Sequence, residues 1–370
     1  MKVSVLQENL TQAVTRTSRV ISTKPPLPIL STILLLATKD GLLLTASTLE
    51  TTESVSVGAK IDREGGLCVP AKVFSELVSS LPQDTVFLEE KEGSLRISCG
   101  GIRASIAGVA AGEFPPLNKN EGKKETSLDK DAFVSVLSLV LFAASTDEGR
   151  PLLTGVKIVQ KQEGALFAAT DGYRLSVYRS GLALPASTDV VIPGRALGEI
   201  LRVCQEEKEV KKVVISDAGE GQLVARVGDT TIVTRRIEGE YPNFEKIIPA
   251  KHTTVATIDV QQFTRAVKSA SIFARDSANI VRLHVGKNSL TISANAPQVG
   301  ENTVELDAKT EGEEGDIAFN SRFLAELLSN FPGEEVVFEM TGSLNPGAFR
   351  SPKDSSFLHI IMPVRVSAEG

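Results

Sequence analysis

The stretch Val69–Pro82, VPAKVFSELVSSLP, returns twice in outline: Ile192–Gln205 reads IPGRALGEILRVCQ and Phe319–Pro332 reads FNSRFLAELLSNFP. In each copy apolar residues fall at i, i+3, i+4 and i+7. They are Phe74, Leu77, Val78 and Leu81, then Leu197, Ile200, Leu201 and Cys204, then Leu324, Leu327, Leu328 and Phe331. That spacing predicts an α-helix with one apolar face. Pro70 and Pro193 suit the first helical position, where a missing N–H costs nothing. The third copy opens with Asn320-Ser321, whose side-chain oxygens can cap free N–H groups. Pro82 and Pro332 stop the first and third helices. The copies lie about 125 residues apart, far beyond a solenoid period of roughly 20–50 residues. The repeat unit is therefore a whole domain, present three times.

Each repeat also carries an earlier helix of the same period. Leu10, Ala13, Val14 and Thr17 mark the first, Phe133, Val136, Leu137 and Val140 the second, and Phe263, Ala266, Val267 and Ala270 the third. Between the helices lie hairpin patterns: Ile33–Ala37 with Leu42–Ala46, Val156–Val159 with Ala165–Ala169, and Val281–Val285 with Ser289–Ala294. After the second helix come Thr85–Glu89 with Leu95–Cys99, Val213–Ser216 with Leu223–Val227, and Val336–Met340 with Phe357–Met362. The expected class is α+β, three domains of two helices packed on antiparallel sheets. Polar stretches at Asn118–Thr126 and Pro249–Thr254 read as linkers, giving domains 1–123, 124–250 and 251–370.

The 370 residues are 42% hydrophobic and 23% charged, an ordinary globular composition, with no apolar run long enough for a transmembrane helix. The N-terminus lacks an apolar signal core. Cys68, Cys99 and Cys204 are scattered within apolar stretches and read as structural thiols of a reduced, cytoplasmic protein. The net charge of −6 divides as 0, −2 and −4 over the three domains, so any nucleic-acid contact must be confined to one face. No phosphate loop, dinucleotide fingerprint, zinc helix or serine elbow is present. His252, His284 and His359 are isolated from one another and from ligand-spaced Cys or carboxylates, so they read as structural or surface residues.

Two stretches break the plain domain pattern. Ala169–Leu175, ATDGYRL, leaves a strand through a turn in which Asp171-Gly172 is either turn chemistry or a catalytic Asp at a strand end. Ile360–Val366, IIMPVRV, is either a buried last strand or part of an adaptable apolar recognition pocket. Off the apolar stripes stand Arg16, Arg19, Lys72, Arg195, Arg202, Arg265, Lys268 and Arg322, with Glu76, Glu199 and Glu326 among them. These are solvated helix faces unless the fold makes them converge.

Three copies of a two-helix domain, with ATDGYRL in the second, GEYPNF at Gly239–Phe244 closing it and MPVRV at Met362–Val366, resemble the bacterial sliding clamps, the beta-subunit family of DNA polymerase III. The resemblance spans the whole chain. It implies a non-catalytic processivity factor without cofactor or metal, a head-to-tail homodimer closing a six-domain ring around duplex DNA. The helices would line the hole and their basic residues would face phosphates, joined by Lys24, Arg103 and Arg150. A pocket between domains two and three would take short linear peptides of the replicative polymerase alpha subunit, the clamp loader, repair polymerases, ligase and mismatch-repair proteins. By motif match it would involve Leu153, Thr170, Gly172, Tyr173, Arg174, Leu175, Pro242, Ile247, Leu344, Ile360, Ile361, Met362, Pro363, Val364 and Arg365. Tyr173 stands where the family often has a histidine, and Ser367–Gly370 runs past the usual end. For ring closure the resemblance implies Arg96, Arg103 and Ile106 facing Ile272, Phe273, Glu301 and Glu305 of a second copy, with strand 103–108 joining strand 301–307.

Overall fold

Six α-helices occur among the described residues: α1 Gln7–Val20, α2 Ala71–Ser80, α3 Lys130–Val140, α4 Gly194–Glu206, α5 Val260–Ala274 and α6 Ser321–Asn330. The computed structural model describes residues 1–116 and 125–365; most of the Asn118–Thr126 linker and the Ser367–Gly370 tail lie outside them. All six fall where the 3.6-residue period predicts them. Their stripes are buried: Leu10, Ala13, Val14 and Thr17 on α1, Phe74 and Val78 on α2, Phe133, Val136, Leu137 and Val140 on α3. The same holds for Leu197, Ile200 and Cys204 on α4, the four predicted residues of α5, and Leu324, Leu327 and Leu328 on α6. Each large apolar side chain so removed from water contributes about 1.5–3 kcal/mol.

Helix starts differ in one respect from the expectation. Pro70 and Pro193 do not occupy the first helical position. Each is the last residue of the preceding strand, paired with Thr32 and Gly155 respectively, and the helix begins one residue later. A fixed φ near −65° serves an extended strand end as well as a helix start. Asn320 does cap α6: its side-chain oxygen accepts the Arg322 N–H at 2.9 Å.

The chain packs as two compact units, Met1–Phe133 with Ala196–Arg236, and Val134–Arg195 with Ile237–Gly370, so the middle third is shared between them. In the first, a five-stranded antiparallel sheet runs Lys60–Arg63, Lys2–Leu6, Thr85–Lys91, Ser94–Cys99, Ile102–Ala107. Beside it a nine-stranded sheet is made continuous by Thr51–Val57 pairing with Thr230–Arg235, Val55 opposite Thr230. Helices α1 and α2 bury their stripes against Val3, Val5, Ile33, Leu35 and Leu88 in one core.

The second unit has its own nine-stranded sheet, made continuous by Arg174–Ser180 pairing with Phe357–Ile361, and a four-stranded sheet ordered Gly300–Asp307, Ser289–Ala296, Ile280–Gly286, Gly315–Asn320. Its core joins Phe263 and Val267 of α5 and Leu324 and Leu327 of α6 to Phe319, Phe338, Phe349 and Phe357. Phe338 stacks on Phe349 with ring centroids 4.9 Å apart. The expected hairpin of Val336–Met340 with Phe357–Met362 is not formed. A short strand, Gly347–Arg350, lies between them and pairs with both. Gly347 makes room for the phenylalanine cluster, since a Cβ there would sit 2.5 Å from Phe319 Cζ.

Candidate functional site

The ATDGYRL stretch is a turn held from within. Strand Gly164–Thr170 ends at Thr170, whose hydroxyl donates to the Arg174 carbonyl at 2.5 Å and accepts the Gly172 N–H at 3.0 Å. Asp171 Oδ1 accepts the N–H groups of Tyr173 and Arg174 at 2.9 and 3.0 Å, and Oδ2 accepts Arg174 Nε–H at 3.1 Å. Gly172 has φ of +91°, the left-handed region that only glycine enters freely, and a Cβ there would lie 3.3 Å from Arg150 Nη1. Asp171 is thus turn chemistry, and its oxygens are spent on the turn and on Arg174. That removes the reading of Asp171 as a catalytic acid.

The turn delivers Tyr173 and Leu175 to the end of the sheet seam. Leu175 lies opposite Ile360 and Arg174 opposite Ile361, and beyond the strand Met362 N–H donates to the Tyr173 carbonyl at 2.8 Å. Leu175 and Ile360 are fully buried in an apolar cluster with Val177, Ala348 and Leu358, flanked by Phe244 and Ile248. Exposed apolar side chains occur on the segments that adjoin it in sequence: Tyr173 at 59%, Met362 at 36%, Ile247 at 39% and Leu344 at 64%. Ile247 ends the Phe244–Ile247 turn, and Leu344 sits in the loop leading to Gly347–Arg350, whose Ala348 pairs with Ile360. Leu153 is half-buried beside Gly172. Pro242 is exposed next to buried Tyr241, which meets Phe244 edge-on at 6.3 Å. Pro363 and Val364 are half-buried, Val364 N–H donating to the Ala318 carbonyl, and Arg365 is exposed.

Ile361 and Arg174, also expected in the pocket, face away from Leu175 and Ile360. Ile361 points to the opposite sheet face and packs with Phe263, Phe349 and Phe357. Arg174, only 6% exposed, turns the same way, because successive strand residues alternate faces. Its Nη2–H donates to the Phe142 carbonyl at 2.7 Å and its guanidinium lies 4.7 Å from the Phe323 ring. Nearby His359 is wholly buried, its Nδ1 2.6 Å from Ser176 Oγ and its ring 5.3 Å from Phe142. Burial first, and Arg174 second, push its pKa down to about 3, so the imidazole is neutral. His252 is exposed, and His284 is exposed with Nδ1 2.9 Å from Asp316. Among the described residues no group of three or more His, Cys, Asp or Glu is placed to hold a metal.

The basic residues sort into two kinds. Lys24, Lys72, Arg103, Arg265, Lys268 and Arg322 are exposed, and Arg150, Arg195 and Arg202 are exposed with pairs to Asp147, Glu148 and Glu199 at 3.1, 3.0 and 3.1 Å. Arg16 and Arg19 are different. Arg16 is buried, with Nε 2.9 Å from Glu206 and Nη1 2.6 Å from Glu207. Arg19 binds Glu199 at 2.7 Å and Glu206 at 2.5 Å. The expectation that Arg16 faces solvent is corrected: it braces α1 to α4, and Arg19 is committed to the same carboxylates.

Ile102–Ala107 and Gly300–Asp307 each lie at the edge of a sheet, paired on one side only among the described residues. Arg96, Arg103, Glu301 and Glu305 are exposed on or beside them, and Ile272 is 57% exposed at the end of α5. Phe273 is half-buried against its own core, and Ile106 is buried in the core of α1 and α2. Ile106 therefore supports its strand from behind.

Three family profiles match in tandem: the N-terminal, central and C-terminal domains of the DNA polymerase III beta subunit, at residues 1–118, 127–243 and 245–365. The chain belongs to the DNA polymerase III beta subunit family. The beta sliding clamp of Bacillus subtilis is 30% identical over 379 residues, covering 99% of this chain and 100% of that one. A crystal structure of the Bacillus subtilis clamp superposes with a TM-score of 0.93 at 28% identity, covering 99% of each chain. That of the DNA polymerase III beta chain from Streptococcus pneumoniae gives 0.92 at 28% identity, covering 99% of this chain and 100% of that one. The fold is accordingly three domains of the DNA clamp type, and the function is that of a bacterial sliding clamp. It is a non-catalytic processivity factor of DNA replication.

One residue of this beta subunit escaped the sequence reading. Glu53 is 0% exposed, and neither carboxyl oxygen has a hydrogen-bond partner. Burial first and the Glu199 charge second raise its pKa to about 8, against the opposing pull of Arg19 and Arg16. In the alternating TTESVSV strand Glu53 shares a face with Val55 and Val57, and that alternation was the available sign, although a Glu normally points to water. A raised carboxyl pKa favours the folded state below the unfolded value near 4.3, and that contribution is lost as pH rises towards about 8. Thermal melts from about pH 6 to pH 8.5 are expected to fall more steeply for the wild type than for Glu53→Gln. Parallel curves would mean that Glu53 titrates as an ordinary carboxyl.

Proposed function

We propose that the chain acts in the cytoplasm as a closed head-to-tail homodimer, a six-domain ring around duplex DNA that tethers the replicative polymerase and takes partner peptides one at a time. The domains would be 1–123, 124–250 and 251–370, in line with the three tandem family matches. The observation that carries the partner reading is the set of exposed apolar side chains Tyr173, Met362, Ile247 and Leu344, borne by segments that adjoin the buried Leu175–Ile360 cluster. Exposed apolar side chains around an apolar floor suit an occupant that buries a few bulky residues. A short segment with a glutamine, a leucine and a leucine–phenylalanine end is such a ligand. The replicative polymerase alpha subunit, the clamp loader, repair polymerases, ligase and mismatch-repair proteins would compete for it.

The DNA contact would be electrostatic and sparse. Lys24, Lys72, Arg103, Arg150, Arg195, Arg202, Arg265, Lys268 and Arg322 would meet phosphates, without reading bases. An enclosed duplex is retained by topology, so strong phosphate binding is unnecessary and would slow sliding. Ring closure would join the free edge Ile102–Ala107 of one copy to the free edge Gly300–Asp307 of the other, each supplying the hydrogen bonds the other lacks. Arg96 and Arg103 would face Glu301 and Glu305, with Ile272 and Phe273 filling the apolar part.

Two measurements test these readings. Met362→Ala should weaken binding of a fluorescein-labelled Gln-Leu-Ser-Leu-Phe peptide by about five- to thirtyfold, the loss of roughly 1–2 kcal/mol of apolar contact, in a polarisation titration. Unchanged binding would remove the pocket. Ile272→Ala with Phe273→Arg should give monomers in sedimentation velocity; a double variant that still sediments as a dimer would sink the interface as drawn.

A further inference from the structure

Arg174 of the ATDGYRL turn reaches to the helix side of the sheet, and what holds it there is shared between remote parts of the chain. Nε donates to Asp171 in its own turn, and Nη2 donates to the Phe142 carbonyl just beyond α3. Nη1 lies 2.6 Å from Glu326 Oε2, an ion pair off hydrogen-bond alignment. The guanidinium lies 5.5 Å from the Phe142 ring and 4.7 Å from the Phe323 ring. Phe323 and Glu326 are three residues apart on α6 and so share a face. Thus α6 holds the guanidinium with a ring and a carboxylate together.

Tyr173 and Leu175 flank Arg174 in sequence; Tyr173 is exposed and Leu175 is buried in the cluster with Ile360, and the proposed pocket uses both. The Arg174 carbonyl and N–H are both tied into the turn, by Thr170 and Asp171. Any shift of the guanidinium is therefore passed through a short, hydrogen-bonded backbone to both neighbours. We propose that Glu326 is a positioning residue for the peptide pocket, acting through Arg174 to fix Tyr173 and Leu175. The proposal rests on the peptide-pocket reading above. Glu326 itself is half-exposed and touches no part of the pocket floor, so its effect on peptide binding is indirect. Arg174 is 7% exposed at its side chain, and without Glu326 a buried cation loses its one ionic partner beyond its own turn.

The test is the same polarisation titration on the full-length protein, with Glu326→Ala, Glu326→Gln, Arg174→Met, the Arg174→Met/Glu326→Ala double variant and Met362→Ala. Glu326→Ala should weaken the peptide by about threefold, as befits a partly exposed ion pair, with Glu326→Gln between it and the wild type. The difference should shrink as salt is raised, because a half-exposed pair is screened. It should vanish in the Arg174→Met background, whereas a general loss of stability would persist there. If Arg174→Met does not fold, the salt dependence of Glu326→Ala decides alone. Wild-type affinity for Glu326→Ala, with Met362→Ala weakened, overturns this inference and leaves the pocket standing. An effect insensitive to salt, or undiminished without Arg174, overturns it as well. Wild-type affinity for Met362→Ala removes the pocket, and this inference with it.

Discussion

Backbone pairing between strands far apart in the chain is the constraint on which the rest of the structure depends. Thr51–Val57 joins Thr230–Arg235 in one unit, and Arg174–Ser180 joins Phe357–Ile361 in the other. Each seam turns what would be two sheet edges into the middle of a nine-stranded sheet, pairing ladder groups that an edge would leave open. The second seam also builds the candidate site. Register alone puts Leu175 opposite Ile360 and Arg174 opposite Ile361, so one pair of strands supplies an apolar floor on one face and a guanidinium anchor on the other.

The helices were legible in the sequence and the seams were not, for a physical reason. A helix repeats its environment every 3.6 residues, so Phe263, Ala266, Val267 and Ala270 announce both the element and its buried face. A strand such as RLSVYRS announces only that it is extended, and its partner is chosen by a segment at the other end of the chain. Gly347–Arg350 was missed for the same reason and one more. It is short, and Gly347 is there because the phenylalanines leave no room for a Cβ.

Charge was the least legible property. Arg16, Arg19 and Arg265 look alike as exposed-face positions of basic helices. The structure gives Arg16 and Arg19 to Glu199, Glu206 and Glu207, and leaves Arg265 exposed. Nothing local distinguishes them, because the acids that claim Arg16 and Arg19 arrive on α4 and at the residue just after it. Arg174 repeats the lesson. Its place in a recognition-like turn suggests ligand contact, yet burial and four contacts make it an internal support. Ile361 follows it by strand alternation, which a contiguous motif conceals.

The same contrast explains how an acidic protein can serve as a DNA clamp. With a net charge of −6, affinity cannot come from a basic surface at large. Each cation diverted into an internal brace lowers the attraction further, and a tight-binding protein could not spare Arg16 or Arg19 in this way. A protein that encloses its DNA, as proposed above, can. Weak, sequence-blind contacts leave the duplex free to slide, while integrity of the enclosing chain becomes the property that matters. Committing arginines to bracing α1 against α4 serves that property directly, since a partly buried ion network still holds the two helices together after solvent screening is allowed for. The loss in phosphate attraction is a cost that topology makes small.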